Sequence, residues 1–436
     1  MADVFGSPLK RLGILGGGQL GKMLAAEAKK LDIAVVVLDP NPQAPARSTC
    51  DEFLCGSFAG ADAVRDLVTR VDVTTIEIEH VDVAALAELE SAGHSIFPPP
   101  AALAIIQDKL VQKQHLADAG IPVPRFAALP DTGGKIDPAA ARAQGAGTDD
   151  LSSSGAGRDA CEDGSVAGAR ATVPGGEMLT AARRFGLPAV QKTRFGGYDG
   201  RGVTVLDAAA EAADLLRGPT MVEELVTIRE EISVIVARSA AGDMRSYPPC
   251  RMVFDPAGNI CTRVELPAWP EGTSGGEVSE TSRLEETAVR LAKESAECLG
   301  IVGLLAVEMF VTPDGAILVN EVAPRPHNSG HLTIEACVTS QFEQHVRAVC
   351  GLPLGSTRAL APAVMVNVLG TGAAGSARVS GLGTVMALEG VTPHLYGKKE
   401  SRPFRKMGHV TIVGENLAAC RATADVVEAT LVVDGA

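Results

Sequence analysis

Short apolar runs alternate with stretches of helical spacing through the first hundred positions. Leu12–Leu15, Ala34–Leu38, Val73–Ile78 and Ser95–Phe97 read as strands, and Leu20–Leu31, a segment after Ala61, and Val81–Ser91 read as helices. Strands separated by helices of this length predict a parallel doubly wound sheet, which Pro98–Pro100 closes. A further helix carrying Ile105, Ile106, Leu110 and Leu116 runs to a stop at Gly120-Ile121-Pro122. From Leu187 the pattern turns β-rich: Ala189–Lys192, Val203–Leu206, Thr220–Val226, Ile232–Ala237, Arg251–Phe254 and Ile260–Leu266. A long helix over Thr281–Leu299 follows. Two apolar runs, Leu304–Val311 and Ala316–Val319, are then joined by Thr312-Pro313-Asp314-Gly315, a strong hairpin signal. Thr333–Val349 reads as one helix, and the glycine-punctuated strands beyond Pro362 read as a small β module.

The expected class is therefore mixed, α/β at the N-terminus and α+β beyond it. Expected boundaries are a Rossmann-like unit over 1–117, a central unit over 118–361 and a β-rich unit over 362–436. The stretch from Thr132 to Glu177 is mostly Ala, Gly, Ser and Asp, too poor in large apolar residues to offset its ordering entropy. It is expected to be a loop or disordered insertion without chemistry.

Composition narrows the function classes. A net charge of −14 over 436 residues argues against nucleic acid or an anionic membrane as the main partner, so an anionic ligand needs local basic pockets. Nine cysteines without a C-x-x-C pair fit a reduced compartment. No apolar run approaches the roughly 18 residues of a membrane span, and Met1–Lys10 has no apolar leader pattern, so the cytoplasm is expected.

The most informative stretch is Asn320–His331, NEVAPRPHNSGH, too polar for core and too stiff for a linker. With Asp314-Gly315 at the hairpin turn, Glu308 faces Glu321 across the ladder. Like charges opposite one another destabilise a sheet, so the pair is expected to hold a cation; Mg²⁺, which combines one or two carboxylates with substrate phosphates, fits best.

Four other motifs carry chemistry. Gly16-Gly17-Gly18-Gln19-Leu20-Gly21 lies between a strand and a helix, with Asp39 ending the next strand; it suits a dinucleotide or any phosphorylated ligand. Lys192–Gly202, KTRFGGYDGRG, joins a strand lysine to a glycine-rich loop able to cover a triphosphate. Met221–Val226 is an apolar strand bearing Glu223 and Glu224, with Glu231 following; such acids suit adenine and ribose. Tyr396–Lys406 is a basic cluster suited to a phosphate monoester.

Together these stretches resemble the ATP-grasp ligases, and within them the N5-carboxyaminoimidazole ribonucleotide synthetases. The similarity also draws on EIEH at Glu77–His80, QDKLVQK at Gln107–Lys113, GIPVPRF at Gly120–Phe126, and YGKKESRPFRKMGHVTIVG at Tyr396–Gly414. It spans nearly the whole chain except the 132–177 insertion. The resemblance implies ATP-dependent carboxylation of 5-aminoimidazole ribonucleotide with bicarbonate through carboxyphosphate, with ATP and Mg²⁺, two ions, and no NAD. It also implies a homodimer.

Residue by residue, the resemblance implies that Glu308 and Glu321 hold metal. Lys109, Lys192, Gly196, Gly197, Glu223, Glu224, Leu225, Val226, Glu231 and Asn320 are implied to contact ATP. Gln19, Leu20, Glu77, His80, Tyr198, Asp199, Arg201, Lys398 and Arg405 are implied to contact the ribonucleotide. Arg325, His327 and Asn328 are implied to line the reacting centre. Two departures from the family pattern stand out besides the insertion: Phe254 where a polar residue is expected, and Phe404 in place of the glycine of RPGRK. The competing readings are an NAD-dependent oxidoreductase, from the Gly16 loop and Asp39, and a catalytically silent nucleotide-binding protein, from those two phenylalanines.

Overall fold

The structure, a computed structural model, describes residues 10–131, 175–197, 202–255, 259–269 and 280–435. Nearly all of the 132–177 segment, and Tyr198, Asp199 and Arg201, lie outside the described residues.

The first sheet is parallel and doubly wound, in the order β3-β2-β1-β4-β5. Its strands are β1 (Arg11–Leu15), β2 (Ala34–Asp39), β3 (Glu52–Cys55), β4 (Val73–Ile76) and β5 (Ser95–Phe97). Helices α1 (Gln19–Lys30), α2 (Ala61–Val68) and α3 (Val83–Ser91) cover its faces. The edge strand β3 is absent from the sequence expectation because it is only partly buried and carries no continuous apolar run.

The single helix expected around Ile105 is two helices, α4 (Pro100–Ile106) and α5 (Lys109–Asp118). Asp108 separates them: its carboxylate accepts from the Leu110 and Val111 amides and so caps α5. This break sets the direction in which Lys109 points.

A second sheet, β6-β9-β7-β8, is antiparallel and consists of β6 (Phe126–Ala128), β7 (Ala189–Thr193), β8 (Val203–Leu206) and β9 (Thr220–Glu224). Helix α6 (Gly175–Phe185) accompanies it.

Among the described residues the third sheet has 12 strands, with the main path β15-β14-β10-β12-β13-β16-β21-β17-β19. It takes in β10 (Glu230–Arg238), β11 (Met244–Ser246), β12 (Cys250–Asp255), β13 (Ile260–Leu266), β14 (Gly303–Val311) and β15 (Ile317–Ala323). The C-terminal strands β16 (Ala363–Gly372), β17 (Gly375–Ser380), β18 (Val391–Leu395), β19 (Glu400–Ser401), β20 (Lys406–Val413) and β21 (Val432–Gly435) continue it. Pairing of β13 with β16, Arg263 opposite Val366, joins the two halves. Helix α7 (Glu280–Cys298) packs its Leu284, Ala288, Leu291 and Ala292 face against β10 and β14.

The helix expected over Thr333–Val349 is also two: α8 (Thr333–Ala336) and α9 (Gln341–Cys350). Cys337 is extended and bridges Ala359, and the Ser340 hydroxyl accepts from the Glu343 amide to start α9 afresh. In the C-terminal part, α10 (Leu382–Met386) and α11 (Leu417–Thr430) complete the fold.

His345 of α9 ties the first sheet to the third. Its Nδ1 accepts from the Leu304 amide at 3.2 Å, so Nε2 carries the proton and donates to the Thr75 hydroxyl at 2.7 Å. Burial pushes its pKa down to about 3, so the folded protein takes up this proton far less readily than the unfolded chain. The stabilisation from neutral His345 is present above about pH 6.5 and is lost as pH falls from there toward about 3. Urea denaturation of the wild type across this range should therefore show falling stability. His345→Gln should flatten that slope by up to about 1.4 kcal/mol per pH unit.

Candidate active site

Glu308 of β14 lies opposite Glu321 of β15, the pairing expected from the sequence, but the turn alone does not produce it. The register shifts between Glu308 and Met309: Met309 pairs with Val319, leaving Asn320 as the extra residue of a bulge. Without that bulge Glu308 would face Asn320. The bulge therefore brings the two carboxylates opposite each other, next to an amide.

Cations from separate elements converge on this hairpin. Lys109, at the first turn of α5, pairs with Glu321, and Lys192 of β7 donates to the Asn320 side-chain oxygen at 3.0 Å. Lys192 also pairs with Glu223 of β9 at 2.7 Å. Lys113, one turn after Lys109, meets Glu223 at 3.4 Å and donates to the Val319 carbonyl at 3.2 Å. It is only 2% exposed, and burial pulls its pKa down to about 7 against the opposing pull of Glu223. Burial would raise Glu223, but the ammonium groups of Lys113 and Lys192 outweigh it and hold the carboxyl below its ordinary range. Glu321 is likewise held low, because the charge and hydrogen bond of Lys109 override burial.

Glu231 responds in the opposite direction. Burial, then the charges of Glu308 and Glu321, push it up to about 7. Loss of solvent is the larger cause, and the two neighbouring carboxylates add to it against the opposing charge of Lys192. Among the described residues no group of three or more His, Cys, Asp or Glu forms a ready-made metal cage. Two facing carboxylates with an open side match an ion that completes its shell from substrate oxygens, which is the habit of Mg²⁺.

Beyond β15 the Pro-Arg-Pro stretch directs Arg325 to Glu79, with an Nη2–Oε1 distance of 2.8 Å. The His327 Nδ1 accepts from the Ser329 amide at 3.3 Å and lies 2.9 Å from the Ser329 hydroxyl. The proton therefore sits on Nε2, which faces Glu308 at 3.2 Å. The Asn328 amide exchanges two 2.8 Å hydrogen bonds with Asn367 of β16.

The glycine loop is built around Glu77. Its carboxylate accepts from the Gly18 amide at 3.0 Å and the Gly21 amide at 3.1 Å. A Cβ at Gly16 or Gly18 would lie within 2.8 Å of that side chain, so these glycines answer to Glu77. Asp39 spends its carboxylate on the Gly17 and Asn41 amides, at 2.7 and 2.8 Å. The acid that the oxidoreductase reading needs for a ribose is engaged with its own loop.

Other expected residues are placed as follows. Gln19 opens α1, whereas the Leu20 side chain is 7% exposed and belongs to the core, leaving its backbone for any ligand contact. His80 is exposed on the loop after β4. The Glu224 carboxylate accepts from the Arg125 amide at 3.0 Å, and Leu225 and Val226 follow at the strand end, Leu225 exposed. Gly196 and Gly197 end the described part of their loop, which is anchored by Arg194 to Asp108.

In the basic loop Lys398 lies over the Tyr396 ring, and Arg405 donates to the Glu400 carbonyl at 2.8 Å. Lys22 of α1 reaches the Leu395 carbonyl at 3.4 Å, so this loop adjoins the glycine loop. Phe404 has φ of 63° and is 43% exposed, a left-handed position that favours glycine. Phe254 lies beside a bulge in β12 and packs against the core. Sequence reasoning missed Lys113, Glu79 and Asn367. Lys113 had a signal, since its spacing from Lys109 puts both on one helix face.

Comparison with known proteins matches residues 9–107 to a ribonucleotide synthetase preATP-grasp domain and 171–342 to an ATP-grasp domain. Residues 363–423 match a phosphoribosylaminoimidazole carboxylase C-terminal domain. The chain is 36% identical to the N5-carboxyaminoimidazole ribonucleotide synthase of Synechococcus elongatus, over 93% of this chain and 90% of that protein. The chain belongs to the N5-carboxyaminoimidazole ribonucleotide synthase family. Its architecture is that of the ATP-grasp ligases. The crystal structure of the Thermotoga maritima synthetase is similar at a TM-score of 0.80 and 40% identity, covering 98% of this chain and 100% of that one. The Aspergillus clavatus synthase in complex with ADP and 5-aminoimidazole ribonucleotide is similar at 0.77 and 29%, covering 97% and 99%.

The buried Lys113–Glu223–Lys192 group yields a stability prediction. Glu223→Gln leaves two ammonium groups around a neutral amide and should cost about 3 kcal/mol in chemical denaturation. Lys113→Met should cost less, because Lys192 still pairs with Glu223.

Proposed function

We propose that the chain carboxylates the 5-amino group of 5-aminoimidazole ribonucleotide, using ATP and bicarbonate. The carrying observation is the bulged hairpin that sets Glu308 opposite Glu321, with Lys109 and Lys192 reaching it and Arg325, His327 and Asn328 leaving it. Family membership and the ligands named for the Aspergillus clavatus structure support the substrates.

A bicarbonate oxygen attacks the γ-phosphorus, and the bond to the β-phosphate oxygen breaks, giving carboxyphosphate and ADP. The amine lone pair then takes the carboxyl carbon, directly or as CO₂; phosphate leaves and the nitrogen loses a proton. Neither step needs a covalent bond to the protein, so positioning and charge neutralisation do the work. Lys109 and Lys192 contact the ATP phosphates, under the loop bearing Gly196 and Gly197. Glu223, Glu224, Leu225, Val226 and Glu231 surround the adenosine, and Asn320 lies beside the phosphates.

Glu308 and Glu321 would hold Mg²⁺, which when bound with ATP offsets charge on the phosphate oxygens. Arg325 and Asn328 orient the carboxyphosphate, and His327 presents its Nε2 proton toward Glu308. Gln19, the Leu20 backbone, Glu77, His80, Tyr198, Asp199 and Arg201 surround the imidazole and ribose, and Lys398 and Arg405 take the 5′-phosphate. Glu77 acts through the glycine loop it shapes. Family membership also supports a cytoplasmic homodimer, which sedimentation of the purified protein checks.

ADP formation should require both the ribonucleotide and bicarbonate. An equal rate without the ribonucleotide would reject that substrate. Arg325→Ala should lower kcat by about 10²–10³-fold with an unchanged circular dichroism spectrum. Glu308→Gln should raise the Mg²⁺ concentration needed for half-maximal rate, with little change in ATP-independent stability.

A further inference from the structure

Asn367 interrupts the apolar run of β16, Ala363-Val364-Met365-Val366-Asn367-Val368, and is 5% exposed. An amide in such a strand is disfavoured by propensity and costly to bury without partners. Here every hydrogen of its nitrogen is used: one goes to the Cys261 carbonyl at 2.9 Å, the other to the Asn328 side-chain oxygen at 2.8 Å. Its oxygen accepts from the Asn328 nitrogen at 2.8 Å.

The polarity of this chain is fixed at one end. A backbone carbonyl can only accept, so the Asn367 nitrogen must face Cys261. That choice places the Asn367 oxygen against the Asn328 nitrogen and decides which end of the Asn328 amide points each way. Two neutral amides locked in this way present a set donor and acceptor without adding charge near Glu308. The preceding residue is held independently: the Gln341 side chain accepts from the His327 amide at 2.9 Å and donates to the His327 carbonyl at 2.7 Å. A Cβ at Gly330 would lie 2.4 Å from that Gln341 oxygen, so only glycine leaves room for the grip.

We infer that Asn367 is a positioning residue for carboxyl transfer, acting from the C-terminal strands by fixing the orientation of the Asn328 amide. This rests on the carboxylation reading. Its consequence is a coupling role: with Asn328 correctly turned, carboxyphosphate meets the amine, and with Asn328 turned away, carboxyphosphate is lost to water as bicarbonate and phosphate. Neither member of this amide pair is among the residues proposed above to contact ATP, so ATP binding should be unaffected.

The test compares ADP and carboxylated ribonucleotide formed by the full chain, wild type and Asn367→Asp, at saturating ATP, Mg²⁺ and bicarbonate. Asn367→Asp keeps the shape but removes both donated hydrogens. The expected result is a fall of at least tenfold in carboxylated product per unit time, an ADP-to-product ratio well above one, and a KM for ATP within twofold of wild type. Asn367→Ser, smaller and neutral, should show the same uncoupling to a lesser degree and serves if the aspartate variant does not fold. A ratio of one in a folded variant, or equal losses in both products with a raised KM for ATP, would overturn the inference. Wild-type ADP formation indifferent to the ribonucleotide would instead overturn the carboxylation reading.

Discussion

The structure is organised by the need to hold two carboxylates face to face. Glu308 and Glu321 would repel one another in any ordinary ladder, and the bulge at Asn320 is what makes them neighbours. The rest of the cleft answers that concentration of charge. Lys109 arrives from the start of a helix whose capping residue, Asp108, also pairs with Arg194 of the glycine-rich loop. Lys192 arrives from another sheet and divides its bonds between Asn320 and Glu223. Glu231 is raised first by burial and then by the charges of Glu308 and Glu321, which Lys192 offsets only in part.

Around the loop that follows the hairpin several buried polar side chains are neutral. His331 and His409 stack at 4.5 Å, and His409 stacks on His394 at 4.4 Å; burial holds both His331 and His409 well below the ordinary imidazole range. Gln341, Asn367, Ser233 and Ser329 are likewise uncharged and buried. Such a shell holds the loop from His327 to Ser329 through directional hydrogen bonds that add no charge of their own, while Arg325 is held separately by Glu79.

Much of this was legible in the sequence where cause and effect are local. The Asp314-Gly315 turn marked the hairpin, but the pairing of Glu308 with Glu321 also needs the Asn320 bulge, which the spacing did not show; strand–helix alternation foretold the parallel first sheet. Two helices were read as longer than they are, because Asp108 and Ser340 restart them inside an uninterrupted apolar period. Strand β3 escaped notice because an edge strand has no need of a continuous apolar run. Lys113 was legible only as sharing a helix face with Lys109, and Asn367 and Glu79 could not be given roles from spacing, since each is defined by a partner distant along the chain: Asn328 and Arg325. The glycines of the first loop were legible as a close-approach motif, but the group that approaches them is the chain's own Glu77.

The pairing of β13 with β16 carries a mechanical consequence. Through it the acidic hairpin and the basic loop that ends near Lys406 ride on one hydrogen-bonded framework, whereas Lys192 and Glu223 belong to the small sheet β6-β9-β7-β8. The side that carries Glu308, Glu321 and Asn367 is one continuous ladder, whereas among the described residues the four-stranded sheet shares no ladder with it and meets it through the Lys192 and Lys113 side chains and single backbone bonds such as that from the Lys109 amide to the Arg194 carbonyl.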